Sequence, residues 1–238
     1  MSQLWNMVNA QQLVIMLPLC KVDVPDNAHF IFNALYYIAA VDPLPTDDIY
    51  DALFGEREIF MLNENFDLQG FEHHLIMYNF GSLGFIIVNL PIIFAFYYLT
   101  GMCERINRCY RIRKWLKKNL FWGVILRLLI ESYVIGIICV LLNWRFIDFE
   151  FDDKWTFANA VATMFFAAIF AIFPFFGVLK MWLSFNILDQ KGHERRFGEL
   201  YDGYNTKDKK MLIYWMMEYI RRGILAFAVV QMQDHLWF

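Results

Sequence analysis

The chain has 238 residues, of which 59% are apolar and 19% are aromatic. Ordinary globular domains hold roughly 45–50% apolar residues, so the composition argues against a soluble protein and makes lipid the expected solvent. The formal net charge is only −3, but acidic and basic residues cluster in different segments, and this clustering is more informative than their sum.

The first apolar segment, residues 1–20, is the weakest of the chain. It is short for a membrane span, and Pro18 ends it. A tilted transmembrane helix and a helix lying in the membrane interface both fit it. Residues 21–75 follow as an acidic segment with eleven Asp or Glu and only two Lys or Arg. The polar residues that dilute the first segment are Asn6, Asn9, Gln11 and Gln12.

Three longer apolar segments are predicted to be transmembrane helices. Residues 77–100 carry no charge, and at about 1.5 Å per residue they can cross a bilayer core of roughly 30 Å. Residues 120–144 and 155–183 form the next two predicted spans. A last apolar stretch, residues 223–238, is just short of a full crossing. The expected fold is all-α, a single polytopic membrane domain with four to five transmembrane helices plus interfacial helices.

The basic residues of the connecting loops predict the topology. Residues 101–118 hold seven Lys or Arg and residues 184–210 hold six, whereas residues 145–154 and residues 21–75 hold two each. Because Lys and Arg concentrate in cytosolic loops, the two basic loops are predicted to be cytosolic and the other two segments extracytosolic. The 101–118 loop would then face the anionic lipids of the inner leaflet.

Two opposite charges lie inside the predicted span 120–144. Arg127 and Glu131 are four residues apart, so they share a helix face and can pair. An unpaired charge near the bilayer centre costs about 2.5–3.5 kcal/mol, so such residues usually face a bundle interior. Two interpretations stay open for this pair: an ion pathway or gate, and a structural pair that fixes helix packing.

A second group of charges interrupts the apolar run "YWMMEYIRRGILAFAVV" near the end of the chain. Glu218, Arg221 and Arg222 stand at i, i+3 and i+4 and are predicted to share one helix face. On the predicted topology they mark the cytosolic boundary. Residues 211–222 would be an amphipathic interfacial helix, and Gly223 would permit a bend into the last span.

Aromatic residues near the predicted span boundaries are typical of interfacial anchors and not of a stacking surface for nucleic acid. The sequence holds no GxSxG, HExxH or phosphate-loop motif. We therefore expect no enzymatic activity, cofactor, metal site or nucleic-acid partner. The predicted anchors are Tyr214, Trp215, Trp115, Trp122, Trp144 and Trp155.

The stretch "FGELYDGYNTKDKKMLIYWMMEYIRRGILAFAVV" resembles an element of TRP-like, polycystin-like membrane domains. "NAQQLVIMLPL" and "FDLQGFEHHLIMYNFGSLGF" are similar to the C-terminal membrane region of large cysteine-rich protist surface proteins. The resemblance implies a polytopic domain related to ion channels. A channel of that type needs a further span and a pore segment, so the resemblance leaves two interpretations open: this chain is the membrane domain or a fragment of it. The matching residues are Phe197, Gly198, Leu200, Tyr201, Tyr214, Arg221 and Arg222.

The alternative is a non-conducting structural subunit of a larger membrane complex, such as a respiratory assembly. Both hypotheses predict an integral, multi-pass membrane protein whose partners are lipids and either other membrane subunits or further copies of the same chain. A third possibility, an enzyme acting on lipid, has little support because no paired catalytic residues are evident.

Overall fold

The computed structural model describes residues 11–14, 16–20, 25–39, 46–54, 62, 64–71, 73, 75–102, 110–114, 116, 125–147, 154–188, 190–201, 204 and 207–232. Within these ranges the chain is helical and contains no strand, which confirms the predicted all-α class. Short 3₁₀ turns lie at Pro18–Cys20 and Phe185–Ile187. The α-helices are α1 (Asp26–Ala39), α2 (Thr46–Phe54), α3 (Glu64–Leu68), α4 (Ile76–Met102), α5 (Ile125–Glu131), α6 (Tyr133–Phe146), α7 (Lys154–Leu183), α8 (Lys191–Tyr201) and α9 (Met211–Gln231).

Helices α6 and α9 run side by side in the same direction. Near the start of α6, the ring of Tyr133 lies 4.8 Å from that of Tyr219. Near its end, Arg145 Nη1 donates to the carbonyl of Val230 at 3.0 Å. Because the start of α6 meets the middle of α9 and the end of α6 meets the end of α9, the two helices are parallel.

Helix α7 runs antiparallel to α6. Thr163, in the first half of α7, donates to Oδ1 of Asn143 near the end of α6 at 2.7 Å. Phe173, in the second half of α7, lies 6.1 Å from the ring of Tyr133 at the start of α6. Residues near the end of α6 therefore meet the first half of α7, and residues near the start of α6 meet its second half.

The first turns of α4 lie against the first half of α7. The amide of Ile76 donates to Oδ1 of Asn159 at 3.1 Å, and the rings of Phe80 and Phe166 are 5.3 Å apart. These contacts advance together along both helices, so α4 starts parallel to α7. The first turns of α4, before its interruption at Gly81, thus run the same way as α7, and α6 and α9 run the other way.

Aromatic rings fill the space between these helices. They meet mainly in edge-to-face and tilted geometry, which suits the charge distribution of aromatic rings. Two glycines allow the close packing: a Cβ at Gly136 would overlap the ring of Phe170, and a Cβ at Gly177 would overlap that of Trp215. The rings of this aromatic core belong to Phe80, Tyr133, Phe166, Phe170, Phe173, Trp215 and Tyr219.

Helix α4 is interrupted at Gly81, which has φ 49° and ψ −136°. Only glycine adopts such backbone angles at low cost, since it lacks a Cβ. The interruption is where α2, from the acidic segment, docks. The hydroxyl of Tyr50 donates to the Gly81 carbonyl at 3.4 Å, and the hydroxyl of Tyr78 donates to Asp51 Oδ1 at 2.9 Å.

The segment predicted as one span over residues 120–144 is bent. Helices α5 and α6 meet at Ser132 at an angle of 64°, so the prediction of a single uninterrupted span is wrong. The bend directs α5 towards α8, which it contacts. There Arg127 of α5 finds a carboxylate partner, Glu199.

Among the described residues, one helix, Trp155–Leu183, is by itself long and apolar enough to cross a membrane. The bent pair α5 and α6 passes the same test only if both helices are taken as one span, and the apolar stretch Asn89–Met102 is shorter. Helix α7 closely matches the predicted span 155–183, whereas the predicted span 77–100 is interrupted at Gly81. Residues 1–10 of the predicted first segment and residues 233–238 of the predicted last span lie outside the described residues.

Candidate functional site

Arg127 forms an ion pair across the bundle. Its Nη1 lies 3.3 Å from Oε2 of Glu199 on α8 and 3.4 Å from Oε1 of the same side chain. The expected partner, Glu131, is not used, although it lies one turn away on α5. The predicted pairing of Arg127 with Glu131 is therefore wrong, because α8 brings a more accessible carboxylate to the guanidinium.

Glu131 is nevertheless buried beside that pair. Only 7% of the residue is exposed, and its Oε2 accepts no hydrogen bond from the part of the chain that is described. Its backbone carbonyl accepts a bond from Gln12 Nε2 at 2.8 Å. The positive charges of Arg127 and Arg222 and the negative charge of Glu199 act on its carboxyl group. A carboxylate thus lies between two guanidinium groups without direct pairing to either.

The charges of α9 form a triad on one helix face, as their spacing predicts. Arg221 Nη2 and Arg222 Nε donate to the same oxygen, Glu218 Oε1, at 2.9 and 3.1 Å. Their environments differ, since the Arg221 side chain is 66% exposed and that of Arg222 only 9%. The Arg222 guanidinium also lies 5.5 Å from the ring centre of Tyr219. Arg222 therefore faces the bundle, and Arg221 faces outward.

The predicted elbow at Gly223 is not formed as a helix boundary. Helix α9 continues from Met211 to Gln231 without interruption. A Cβ at Gly223 would lie 3.6 Å from the hydroxyl of Tyr133, an ordinary contact distance, so the packing of α9 on α6 does not require a glycine there. The predicted division between an interfacial helix over 211–222 and a span over 223–238 thus falls within one helix.

Trp215, which the sequence predicted to be an interfacial anchor, is a core residue. It is 2% exposed, lies over Gly177 and packs against Phe173 with ring centres 5.5 Å apart. Its neighbour Tyr214 is 65% exposed, so only one member of this aromatic pair points away from the bundle.

Tyr204 joins the charged cluster from the connection between α8 and α9. Its partial burial raises the pKa of its hydroxyl, the negative charge of Glu218 adds to the increase, and Arg222 opposes it. Sequence reasoning missed both Tyr204 and Glu199. No local signal marks them, because Glu199 meets Arg127 across 72 positions of the chain.

The charged cluster comprises three carboxylates and three guanidinium groups at the junction of α5, α8 and α9. Formal neutrality suits a polar group of residues inside an apolar bundle, where an isolated charge is costly. No group of three His, Cys, Asp or Glu within the described ranges could hold a metal ion. The members of the cluster are Arg127, Glu131, Glu199, Glu218, Arg221 and Arg222.

Chemically, the Arg127–Glu199 pair can hold α5 and α8 together, and the buried carboxylate of Glu131 can interact with a mobile cation or proton. Comparison of the chain with protein-family models, with curated proteins and with solved structures found no match.

Proposed function

We propose that the chain is a multi-pass integral membrane protein and forms the membrane domain, or part of it, of a TRP-like ion channel or channel-related surface protein. The observation that carries the membrane assignment is the direction of the helices. Helix α7 runs opposite to the parallel pair α6 and α9, and the first turns of α4 run with α7. These directions are what the alternation of basic and acidic loops requires for successive crossings.

The dimensions and exposure of α7 support this assignment. Its 30 residues extend about 45 Å at 1.5 Å per residue, enough for a hydrocarbon core of roughly 30 Å. Only 33% of its most apolar 18-residue stretch is buried against the rest of the protein. The remaining apolar side chains suit contact with lipid or with another membrane helix. Exposed examples are Phe157, Val161, Phe165, Ile172, Phe175 and Leu179.

The channel-related part of the proposal depends on the charged cluster. Ionisable residues inside membrane bundles frequently mark ion pathways, and Glu131 is a buried carboxylate whose Oε2 accepts no hydrogen bond from the described residues. The resemblance to TRP-like domains adds support, since its residues Tyr201 and Arg222 are buried and lie on α8 and α9, two of the helices that form the cluster.

A specific contact favours the alternative, a non-conducting structural subunit. Arg127 pairs with Glu199 of the same chain at 3.3 Å, so this arginine is used in joining α5 to α8. A charge used to hold helices together needs no conducting role.

The topology can be tested by cysteine labelling in sealed vesicles. The four native cysteines would first be replaced, and Asp48→Cys and Lys209→Cys introduced separately at exposed positions. We expect a membrane-impermeant maleimide to reach these two sites from opposite sides. Labelling after detergent permeabilisation controls for intrinsic reactivity. Labelling of both sites from the same side would contradict the topology.

Conduction is tested by recording currents from the purified full chain in planar bilayers. The channel hypothesis predicts currents that change with Glu131→Gln and with Arg127→Gln, while Glu194→Gln on the exposed face of α8 leaves them unchanged. Absence of current, or currents insensitive to both substitutions, would remove the pathway role. Stoichiometric copurification with one membrane complex would then favour the structural subunit.

A further inference from the structure

A groove lies between the N-terminal segment and α9. Its volume is about 370 Å³, within the range of roughly 300–1,000 Å³ that ligand sites occupy. Four side chains lining it are aliphatic and two are arginines, so the groove combines an apolar wall with positive charge. The lining residues are Leu13, Val14, Leu17, Leu225, Arg221 and Arg222.

The aliphatic wall of the groove is accessible. Val14 is 41% exposed and Leu17 is 56% exposed, so the described part of the chain does not cover them. Aliphatic side chains offer no hydrogen bonds and are favourably covered by another apolar group. An occupant of this wall is therefore itself apolar.

Arg221 brings a positive charge to the groove. Glu218 Oε1 accepts hydrogen bonds from both arginines, and the charge of Arg222 also acts on Glu131. Arg222 is held in place by its burial. Arg221 is 66% exposed, and its guanidinium has five N–H donors, of which the contact with Glu218 involves Nη2. This fork geometry matches a phosphate oxygen pair.

We propose that the groove binds one acyl chain of an anionic membrane phospholipid, with its phosphate against Arg221. This inference depends on the proposed membrane location. The aliphatic wall holds the chain through burial of apolar surface, and the exposed guanidinium of Arg221 selects a negatively charged headgroup. A zwitterionic phospholipid shares the acyl chain but lacks the net charge, so it binds the same groove more weakly.

The experiment is photo-cross-linking of the full chain reconstituted in phosphatidylcholine vesicles. The vesicles contain a phosphatidylglycerol or a phosphatidylcholine probe with a diazirine on its acyl chain, and labelled peptides are identified by mass spectrometry. We expect the phosphatidylglycerol probe to label residues 13–17 and Leu225 more strongly than the phosphatidylcholine probe does. Arg221→Gln should reduce that labelling about fivefold, the ratio that about 1 kcal/mol per arginine gives.

Two matched controls accompany these variants. Arg111→Gln removes an exposed arginine elsewhere and should leave groove labelling unchanged. Leu17→Trp should reduce labelling by both probes because it fills the groove, whereas Leu183→Trp, at an exposed position of α7, should not. Equal labelling by both probes, or labelling insensitive to Arg221→Gln and Leu17→Trp, would overturn the proposal. Intermolecular disulfide formation by a Leu17→Cys variant without the native cysteines would overturn it as well, by assigning the groove to a second copy.

Alkaline carbonate extraction separates this proposal from the membrane assignment. If the protein is released by carbonate, the membrane function fails and the groove proposal fails with it. If the protein stays in the membrane but labelling shows no anionic preference, only the groove proposal fails.

Discussion

Arg127 on α5 and Glu199 on α8 form an ion pair at 3.3 Å, with about a third or less of each side chain exposed. The pair connects the short helix beyond the bend at Ser132 to the most hydrophilic helix of the bundle. Its contribution to stability should be modest, because partly exposed ion pairs contribute about 0.2–1 kcal/mol.

A double-mutant cycle measures that contribution. We expect Arg127→Gln and Glu199→Gln each to lower the melting temperature in detergent, and the double variant to lose less than the sum of the two. Glu194→Gln, on the exposed side of the same helix, should have no such coupling with Arg127→Gln. Strict additivity of the Arg127 and Glu199 variants would show that the pair makes no net contribution.

Replacing either tightly packed glycine of the aromatic core should destabilise the fold. Alanine at Gly136 or Gly177 brings a methyl group into the ring of Phe170 or Trp215, and overpacking of this kind costs about 1–3 kcal/mol. Thermal unfolding followed by tryptophan fluorescence measures the effect.

Gly192 is the matched control for these two glycines. It is helical, but a Cβ there meets no atom within 4 Å, so Gly192→Ala should raise stability slightly through the greater helix propensity of alanine. If all three alanine variants unfolded at the same temperature as the unchanged protein, the close packing of α6, α7 and α9 described above would be incorrect.

His193 should make the docking of α8 sensitive to pH. Burial lowers its pKa from the usual value of about 6.5, and the positive charge of Lys180 lowers it further. Below about pH 6.5 the unfolded chain therefore binds more protons than the folded chain, so stability falls as pH falls from that value. The melting temperature in detergent at pH 7.5 and at pH 5.5 measures this loss.

The matched variant is His193→Phe, which keeps an aromatic ring beside Phe197 and removes the titrating group. The rings of His193 and Phe197 are 5.1 Å apart, so packing should be preserved at pH 7.5. We expect the variant to lose part of the pH dependence. An unchanged difference between the two pH values would show that His193 is not its source.

Gly81 should tolerate no side chain without cost. Its φ of 49° and ψ of −136° are strained for any other residue, and such strain amounts to about 1–3 kcal/mol. Gly81→Ala should therefore lower the melting temperature, and Gly198→Ala should not, since a Cβ at Gly198 meets only Glu194 at an ordinary 3.6 Å. Equal melting temperatures for the two variants would contradict the interruption of α4.

The helices that the sequence predicts best are the ones with long uncharged runs. The predicted span 155–183 closely matches Lys154–Leu183, and 77–100 lies within Ile76–Met102. In the run 155–183, continuous apolar composition determines the helix without reference to neighbours, whereas the run 77–100 is interrupted at Gly81. The all-α class follows from the same runs.

The bend at Ser132 and the ion pair of Arg127 depend on tertiary contacts, which local sequence patterns do not contain. Arg127 and Glu131 satisfy the spacing for a pair within one helix, but the chain brings Glu199 closer. The burial of Trp215 likewise depends on a tertiary contact. A tryptophan in an amphipathic run fits an interfacial anchor and a core residue equally well, and its burial depends on the space that Gly177 leaves on another helix.

The hydrogen bond from the Ile76 amide to Asn159 links residues 83 positions apart. The first amides of any helix lack partners within that helix, and here the partner for Ile76 comes from α7. During synthesis, α4 emerges from the ribosome well before Asn159 is made, so its first turn cannot complete this bond until α7 has followed. The assembly of α4 is therefore finished only late in biogenesis, by α7, which is synthesised after both α5 and α6.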